Sequence, residues 1–582
     1  MAASIRDTEA PAVRAGTGKL RWRERSSPLV AILAILLLTL TLPPILFLLD
    51  ASVHTSRPDL SFDRLTLEFY AQLFTSPFFA RSLWNTFVYA IGSSVVAIAL
   101  GLIQALIVER TDTPGRNYVF LGVVVSLGIP HLLYTVGWLL LLGKAGPVND
   151  LLNAVSGSRA TPINVYSSWG MILIEGVSFV PLNFLLMSAV LRSIDTSFEE
   201  AALASGASPF KTFRNITLPM CLPGVLALLL LAFMRAFESF EVPALVGLAG
   251  NITVLTTDVY LSAKAQGPAN FGMSGAYSVC LLVIMGLLLS WYGRLSRHAH
   301  RFQTITGKGY RPRVMSLGRW RWLAFGILLL LFAIIIVLPI GMVIFVSLQP
   351  FYEGLTIASL DRVTLDNYKS VLAPGSFRDA ILNTLILGTS AATLVVPITA
   401  LCAWLAARGR PGAFMLDHIA MAPLVFPAIV MSVAFLHVFA RLPIPLYGSL
   451  LSVIIAASVR YLPYGMRFAY AGVLQIHPDL EDAAAAAGAR GWYTFLRVVL
   501  PLVAAGLFAC WLFVFLAASR EVALPLLLAG PGVEIVGPTL FDLWQNGQLT
   551  EFAAMGMSWV ALMTVASACL HVVTWRRGIG PS

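Results

Sequence analysis

Charge is scarce in this chain. Of its 582 residues only 12% are Asp, Glu, Lys or Arg, against 58% hydrophobic, and the mean hydropathy is +0.81. A soluble domain carries about 25% charged residues. The deficit leaves too little polar surface to face water on every side, which argues against a soluble globular enzyme and for a membrane protein. Cysteine is scarcer still. Cys221, Cys280, Cys402, Cys510 and Cys569 each lie in or beside an apolar run and none forms a CxxC pair, so the thiols read as small apolar packing groups, with no disulfide framework or zinc site. A GxxxxGK[ST] phosphate loop is missing: Lys144 and Lys308 each follow a glycine but lack the earlier glycine and the following Ser or Thr. The chain is therefore not expected to hydrolyse ATP alone. HExxH, GxSxG and metal-spaced histidine clusters are missing too, and His54 and His131 read as surface or packing residues. No cofactor or bound metal is expected, and no catalytic residue.

What the chain has in abundance is long apolar runs. A spanning helix needs roughly 20 mostly apolar residues, and Leu29–Leu49, Gly326–Leu348 and Ala553–Trp575 meet that length. Six such runs, near 29–49, 82–107, 118–142, 169–192, 222–241 and 273–292, precede a basic middle segment; six follow it, near 322–348, 380–406, 417–440, 449–474, 503–520 and 553–575. The expected fold is all-α, with about twelve transmembrane helices. The net charge of +10 sits at the flanks of these runs: Arg6, Arg14, Lys19, Arg21, Arg23 and Arg25 before the first, Arg294 to Arg321 in the middle, Arg576 and Arg577 at the end. This is the positive-inside pattern and not a nucleic-acid surface, and it places both termini in the cytoplasm. The first run is too long for a signal-peptide core and lacks a small-residue cleavage site, so it reads as a retained helix. The expected organisation is a cytoplasmic segment 1–28, a first transmembrane unit 29–293, a basic linker 294–321 and a second unit 322–575.

The two units are copies. Leu67-Glu68-Phe69-Tyr70 is matched by Leu365-Asp366-Asn367-Tyr368 and Asn85-Thr86 by Asn383-Thr384, both at an offset of 298; Pro114-Gly115 is matched by Pro411-Gly412 at 297. Phe179-Val180-Pro181 pairs with Tyr461-Leu462-Pro463 at 282, the change reflecting a longer loop, 144–168, in the first copy. An even number of spans per unit makes the repeat parallel, with a pseudo-twofold axis along the membrane normal and a central path between the copies.

One motif goes further. Between the fourth and fifth spans the first copy reads Glu200-Ala201-Ala202, then Gly206, Ile216 and Leu218-Pro219; the second reads Asp482-Ala483-Ala484, then Gly488, Val498 and Leu500-Pro501, with identical spacing. An alanine-rich stretch is a strong helix former with a slim profile, an acid at its start suits the positive end of the helix dipole, glycine can end the helix and proline interrupts the way to the next span. One copy could be a plain amphipathic connector; two copies at equivalent points of a repeat argue for a short helix shaped to fit a groove in another protein. The pattern resembles the EAA loop of permease subunits of type I, MetI-like ATP-binding-cassette importers of the bacterial inner membrane, and the likeness covers essentially the whole chain. The resemblance implies that this loop docks into a cleft on a cytoplasmic ATPase, one copy of the ATPase for each loop. Glu200, Ala201, Ala202, Gly206, Asp482, Ala483, Ala484 and Gly488 would then be coupling residues. Asp482 departs from the usual Glu but keeps its charge. The resemblance further implies a periplasmic substrate-binding protein as partner. Fusion of two permease halves in one chain is similar to iron(III) importers; aminoethylphosphonate, thiamine or a polyamine are alternative cargoes.

Ionisable groups inside spans are costly and mark functional candidates. Glu175, Glu241, Arg460 and Glu521, with the mid-span prolines Pro181 and Pro463, are candidates for the path lining; an interhelical ion pair is the other reading of the charges. Arg235, Glu238 and Arg520 lie near them in sequence. The rival architecture is a twelve-helix secondary transporter, which shares the span count and the repeat but does not predict the duplicated loop. A membrane-embedded enzyme would need a catalytic cluster, and none is seen.

Overall fold

The computed structural model describes residues 27–56, 62–157, 162–193, 197–264, 270–299, 316–373 and 375–576. The basic segment 1–26, residues 300–315 of the linker and Arg577 lie outside the described residues. Apart from a two-stranded antiparallel hairpin, His54–Ser56 with Phe62–Leu65, the fold among the described residues is helical. Nine helices among them are long and apolar enough to cross a membrane. In the first repeat the crossings begin with Ser27–Ser52 and Pro77–Arg110, and end with Ser168–Arg192, Leu218–Phe237 and Phe271–Ala299. Their counterparts are the pair Arg321–Phe332 and Leu338–Ser347, then Ser376–Ala407, Leu450–Leu474, Leu500–Ser519 and Leu549–Arg576. Leu450–Leu474 is 25 residues long but carries Arg460 and Arg467.

The third span of each repeat is not the single helix its apolar run predicts. It is broken in two: Arg116–Gly128 and His131–Leu142 in the first repeat, Phe414–Met421 and Ala428–Arg441 in the second, where the two segments bend by 107°. The cause is local. A residue before proline is pushed out of the helical region by the pyrrolidine ring, and Ile129, before Pro130, sits at φ −78°, ψ 129°, while Phe426, before Pro427, sits at φ −88°, ψ 114°. The two prolines are repeat equivalents at an offset of 297.

Serine caps recur as well. Ser167 Oγ accepts from the Gly170 N–H and Ser449 Oγ from the Ser452 N–H, each at 3.2 Å, starting the fourth span of each repeat. Each fifth span is entered through a π-helical turn, Phe213–Thr217 and Phe495–Val499, closed by Leu218 N–H to Phe213 O and Leu500 N–H to Phe495 O. Pro219 and Pro501 follow directly; proline cannot donate and crowds the carbonyl four residues back, and the wider turn relieves both constraints.

The second and fourth spans of each repeat pack side by side at close range. A Cβ on Gly176 would stand 2.7 Å from the Val96 side chain, and one on Gly465 would stand 2.6 Å from Thr399 Oγ1. The first span of each repeat crosses to the other. Ser27–Ser52 packs on Phe414–Met421 and Ala428–Arg441, and Leu338–Ser347 packs on His131–Leu142, where a Cβ on Gly137 would meet the Pro339 carbonyl at 2.5 Å. The outward surface is apolar, with Ile32, Ile35, Leu46, Leu329 and Leu330 exposed, while charged groups such as Glu175 are buried. That inversion suits a lipid surround, because backbone polar groups are satisfied within the helices.

Candidate functional site

The motif loops form two short helices on one face of the molecule, Ser197–Ala204 and Asp479–Ala486, neither with a buried residue. Both end in the same way. Gly206 N–H bonds Leu203 O at 3.0 Å and Ala207 N–H bonds Ala202 O at 3.0 Å; Gly488 N–H bonds Ala485 O at 2.9 Å and Ala489 N–H bonds Ala484 O at 2.9 Å. These are Schellman caps, which place the glycine in the left-handed region, and Gly206 and Gly488 have φ +84° and +88°. Ala201, Ala202, Ala483 and Ala484 lie on these slim helices, beside the acids Glu200 and Asp482 of the first turn.

The residue before each motif acid does something the sequence reading missed. Glu481 accepts from Arg408 Nε at 2.6 Å and from the Trp404 indole at 3.0 Å, and Arg408 also donates to Ile476 O at 3.0 Å. In the first repeat Glu199 accepts from the Thr217 hydroxyl at 2.9 Å and faces Arg110 Nε at 3.5 Å, while Arg110 donates to Leu191 O at 2.8 Å. Each arginine thus ties the end of the second span to the end of the fourth and to the motif helix. The signal was present in the paired acids, Glu199-Glu200 and Glu481-Asp482, and in Arg110 and Arg408 at an offset of 298.

Between the repeats lies a cavity of about 240 Å³. Its wall gathers Glu175, Pro181, Glu241, Arg460 and Glu521 of the sequence-based candidates, and adds Arg235, Glu238, Arg520 and His131. Pro463 is buried in its helix and does not reach the wall. Glu175 is wholly buried, and its nearest basic group is His131 Nε2 at 3.2 Å. That nitrogen also reaches Ser178 Oγ at 2.9 Å, and since the Ser178 hydroxyl donates to Glu175 O at 2.8 Å, Nε2 is the donor. His131 Nδ1 stands 3.8 Å from Glu241. Tyr89 abuts Glu175 and Ser239. On the other side Glu521 accepts from Arg460 Nε at 3.3 Å and from the Tyr461 hydroxyl at 2.8 Å. Arg460 Nη1 also donates to Phe426 O at 3.2 Å, a carbonyl released at the break of the third span. Arg235 pairs with Glu238.

His131 is therefore no plain packing residue. It begins the second half of a broken span, and the clue was its place directly after Pro130. The cavity is unequal across the pseudo-twofold axis. The elements around Glu241 and Glu521 match at an offset of 282, which sets Glu241 against Ala523 and Ser239 against Glu521, and Tyr89, His131 and Glu175 are matched by Leu387, Ala428 and Ala457. The two glutamates face basic groups from different spans, Glu241 His131 of the third at 3.8 Å and Glu521 Arg460 of the fourth at 3.3 Å. With both signs of charge held in a buried chamber, apolar cargo would face a steep desolvation cost. Among the described residues no group of three or more His, Cys, Asp or Glu side chains is placed to hold a metal ion.

A parallel repeat of membrane-spanning helices, paired loops on one face and a charged chamber between the copies define a transport subunit. The chain belongs to the family of binding-protein-dependent transport system inner membrane components, which matches residues 97–301 and 395–581, once in each repeat. It is a multi-pass inner-membrane permease of an ATP-binding-cassette importer. It is 25% identical over 496 residues to a ferric transport system permease of Actinobacillus pleuropneumoniae, covering 83% of this chain and 69% of that protein. A ferric transport permease of Haemophilus influenzae is 26% identical over 451 residues, covering 76% of this chain and 68% of its own. A 2-aminoethylphosphonate transport system permease of Salmonella typhi is 28% identical over 226 residues, which is 38% of this chain and 75% of that protein.

Proposed function

We propose that this chain is the membrane path of an iron(III) importer, driven by two copies of a separate cytoplasmic ATPase subunit and supplied by a periplasmic iron-binding protein. The observation that carries the cargo is similarity to ferric permeases over 83% of the chain, both repeats included, against 38% for the aminoethylphosphonate permease. The acidic groups Glu175, Glu241 and Glu521 around the cavity suit a cation.

In this reading the motif face is cytoplasmic, as are both termini. Residues 29–293 and 322–575 act as the two permease domains, joined by the linker 294–321. Glu200, Ala201, Ala202 and Gly206 meet one ATPase subunit; Asp482, Ala483, Ala484 and Gly488 meet the other. Their equal caps and bare surfaces support this role. Glu175, Pro181, Glu241, Arg460 and Glu521 line the path in the cavity, and Pro463 shapes the helix that carries Arg460. ATP binding draws the two ATPase subunits together, and the coupling helices shift the repeats between inward and outward access. The chain performs no covalent step.

The test is uptake by proteoliposomes holding the chain with its ATPase and binding protein. ATP-dependent accumulation of radiolabelled iron(III) is expected, without accumulation of aminoethylphosphonate, thiamine or spermidine. Uptake of one of those compounds in place of iron would overturn the cargo assignment, and uptake that persists without any ATPase would overturn the importer mechanism.

A further inference from the structure

The duplicated Asn85-Thr86 and Asn383-Thr384 pairs play no part in the site so far. The structure gives each the same work. Asn85 Nδ2 donates to Thr253 O at 3.0 Å and Thr86 Oγ1 accepts the Leu255 N–H at 3.0 Å; Asn383 Nδ2 donates to Glu534 O at 2.9 Å and Thr384 Oγ1 accepts the Val536 N–H at 3.0 Å. Leu255 and Val536 are the first residues of two short helices, Leu255–Lys264 and Val536–Gln545, on the face opposite the motif loops. The first follows the segment Pro243–Gly250 at a bend of 83°, and each helix is 10 residues long, about 15 Å and half of a hydrocarbon core, too short to cross. Each Asn-Thr pair therefore fixes the start of a re-entrant helix, satisfying donors and a carbonyl that the helix cannot satisfy itself.

These two helices roof the cavity. Tyr260 from one and Phe541 from the other meet Phe240, with ring centroids at 5.3 Å (Phe240–Tyr260), 6.1 Å (Phe240–Phe541) and 6.2 Å (Tyr260–Phe541). All three rings are buried, and Phe240 also lines the cavity.

The same span carries both attachments. Thr86 and Arg110 are 24 residues apart in Pro77–Arg110, and Thr384 and Arg408 are 24 apart in the second repeat. At 1.5 Å per residue that is about 36 Å of helix in each copy. The fifth spans, which the motif loops enter, begin with π-turns, whereas the second spans run unbroken between their two attachments, Pro77–Arg110 with no interior proline. Ser376–Ala407 contains Pro397 but runs on as one helix.

We propose that the second span of each repeat is the rod that ties movement of its coupling helix to the aromatic roof of the cavity, with Asn85, Thr86, Asn383 and Thr384 as positioning residues at the roof end. This rests on the permease reading above, in which the roof is the external closure. Ser82 Oγ adds a contact to Thr253 Oγ1 at 2.6 Å in the first repeat, where the second has Ala380, so the second latch is the weaker and the better target.

The experiment uses the complete transporter in proteoliposomes, with a cysteine reporter at Ala517 in the cavity wall and an impermeant maleimide added outside. In the reporter chain, labelling should change at least fivefold between nucleotide-free and ATP-trapped states. With Thr384→Val, and with Asn383→Leu/Thr384→Val, that nucleotide dependence should vanish and uptake fall at least tenfold while ATP hydrolysis stays within twofold. Thr384→Ser, which keeps the acceptor hydroxyl, should restore both. Should the double variant lose its monodisperse elution, the near-isosteric Thr384→Val decides alone. Retained nucleotide-dependent labelling and uptake in Thr384→Val would overturn the rod. Absence of ATP-driven uptake in the unaltered chain would instead overturn the permease reading on which it rests.

Discussion

Arg408 holds Glu481 at 2.6 Å, and in doing so fastens the motif helix to the end of the second span. Its counterpart Arg110 stands 3.5 Å from Glu199, with Nε making no hydrogen bond. The two motif helices are therefore held by the same design at unequal strength. Hydrogen bonds to charged groups contribute about 1.5–3 kcal/mol each. Arg408→Gln should lower ATP-driven uptake by about tenfold, the equivalent of ~1.4 kcal/mol, and Arg110→Gln by clearly less. Uptake at equal membrane expression measures both, and the reverse ranking would refute the assignment of the stronger anchor to the second repeat.

Gly206 and Gly488 allow a second prediction, because a Cβ at either would touch nothing within 4 Å. Within the chain, alanine there costs only the left-handed backbone strain of about 1–2 kcal/mol. Gly488→Asn should be tolerated better than Gly488→Ala, since asparagine enters that region more readily. If the caps present the helices to an ATPase, Gly206→Ala/Gly488→Ala should lose co-purification with it while the chain still elutes as one species. Unchanged co-purification would remove the glycines from the interface.

The pair His131 and Glu175 permits a double-mutant cycle. If the two are held as an ion pair, removing one partner costs about 3–5 kcal/mol because the other charge is left uncompensated. His131→Ala should therefore depress the thermal midpoint of the purified chain more than His131→Ala/Glu175→Gln does. Additive effects of His131→Ala and Glu175→Gln would mean that the two groups do not interact.

The exchange of first spans makes a fourth prediction. Cutting the chain within 300–315 severs the covalent link but leaves Ser27–Ser52 packed on the second repeat and Leu338–Ser347 on the first. The two co-expressed halves should co-purify. Gly137→Val, which drives a side chain into the Pro339 carbonyl at the crossing, should weaken that association. Halves that separate without the mutation would contradict the interlock.

Much of the fold is legible in the sequence. Apolar length marks the spans, because every buried backbone group in lipid must be satisfied within a helix. The offsets 298, 297 and 282 reveal the repeat, and the acid-Ala-Ala loops mark the two short surface helices Ser197–Ala204 and Asp479–Ala486. What hydropathy cannot show is where a helix stops inside an apolar run: Pro130 and Pro427 sit among residues as greasy as any in the chain, and only the pre-proline restriction betrays the break. His131 is hidden for the same reason, since a lone histidine in an apolar stretch looks like packing until Glu175 and Glu241, from two other elements, converge on it. The re-entrant helices were hidden because Leu255–Lys264 and Val536–Gln545 are short and polar enough to read as loop. Their anchors, Asn85-Thr86 and Asn383-Thr384, show in the sequence only as a match between copies.

The unequal cavity bears on why the two copies share one chain. A channel assembled from identical subunits changes its lining only by twos: a histidine gained on one side is gained on the other. Here Tyr89, His131 and Glu175 face Leu387, Ala428 and Ala457 across the axis. Joining the copies end to end lets each wall vary by itself, so a cavity that serves as the path would offer its cargo two differently built charged walls, His131 on one and Arg460 on the other.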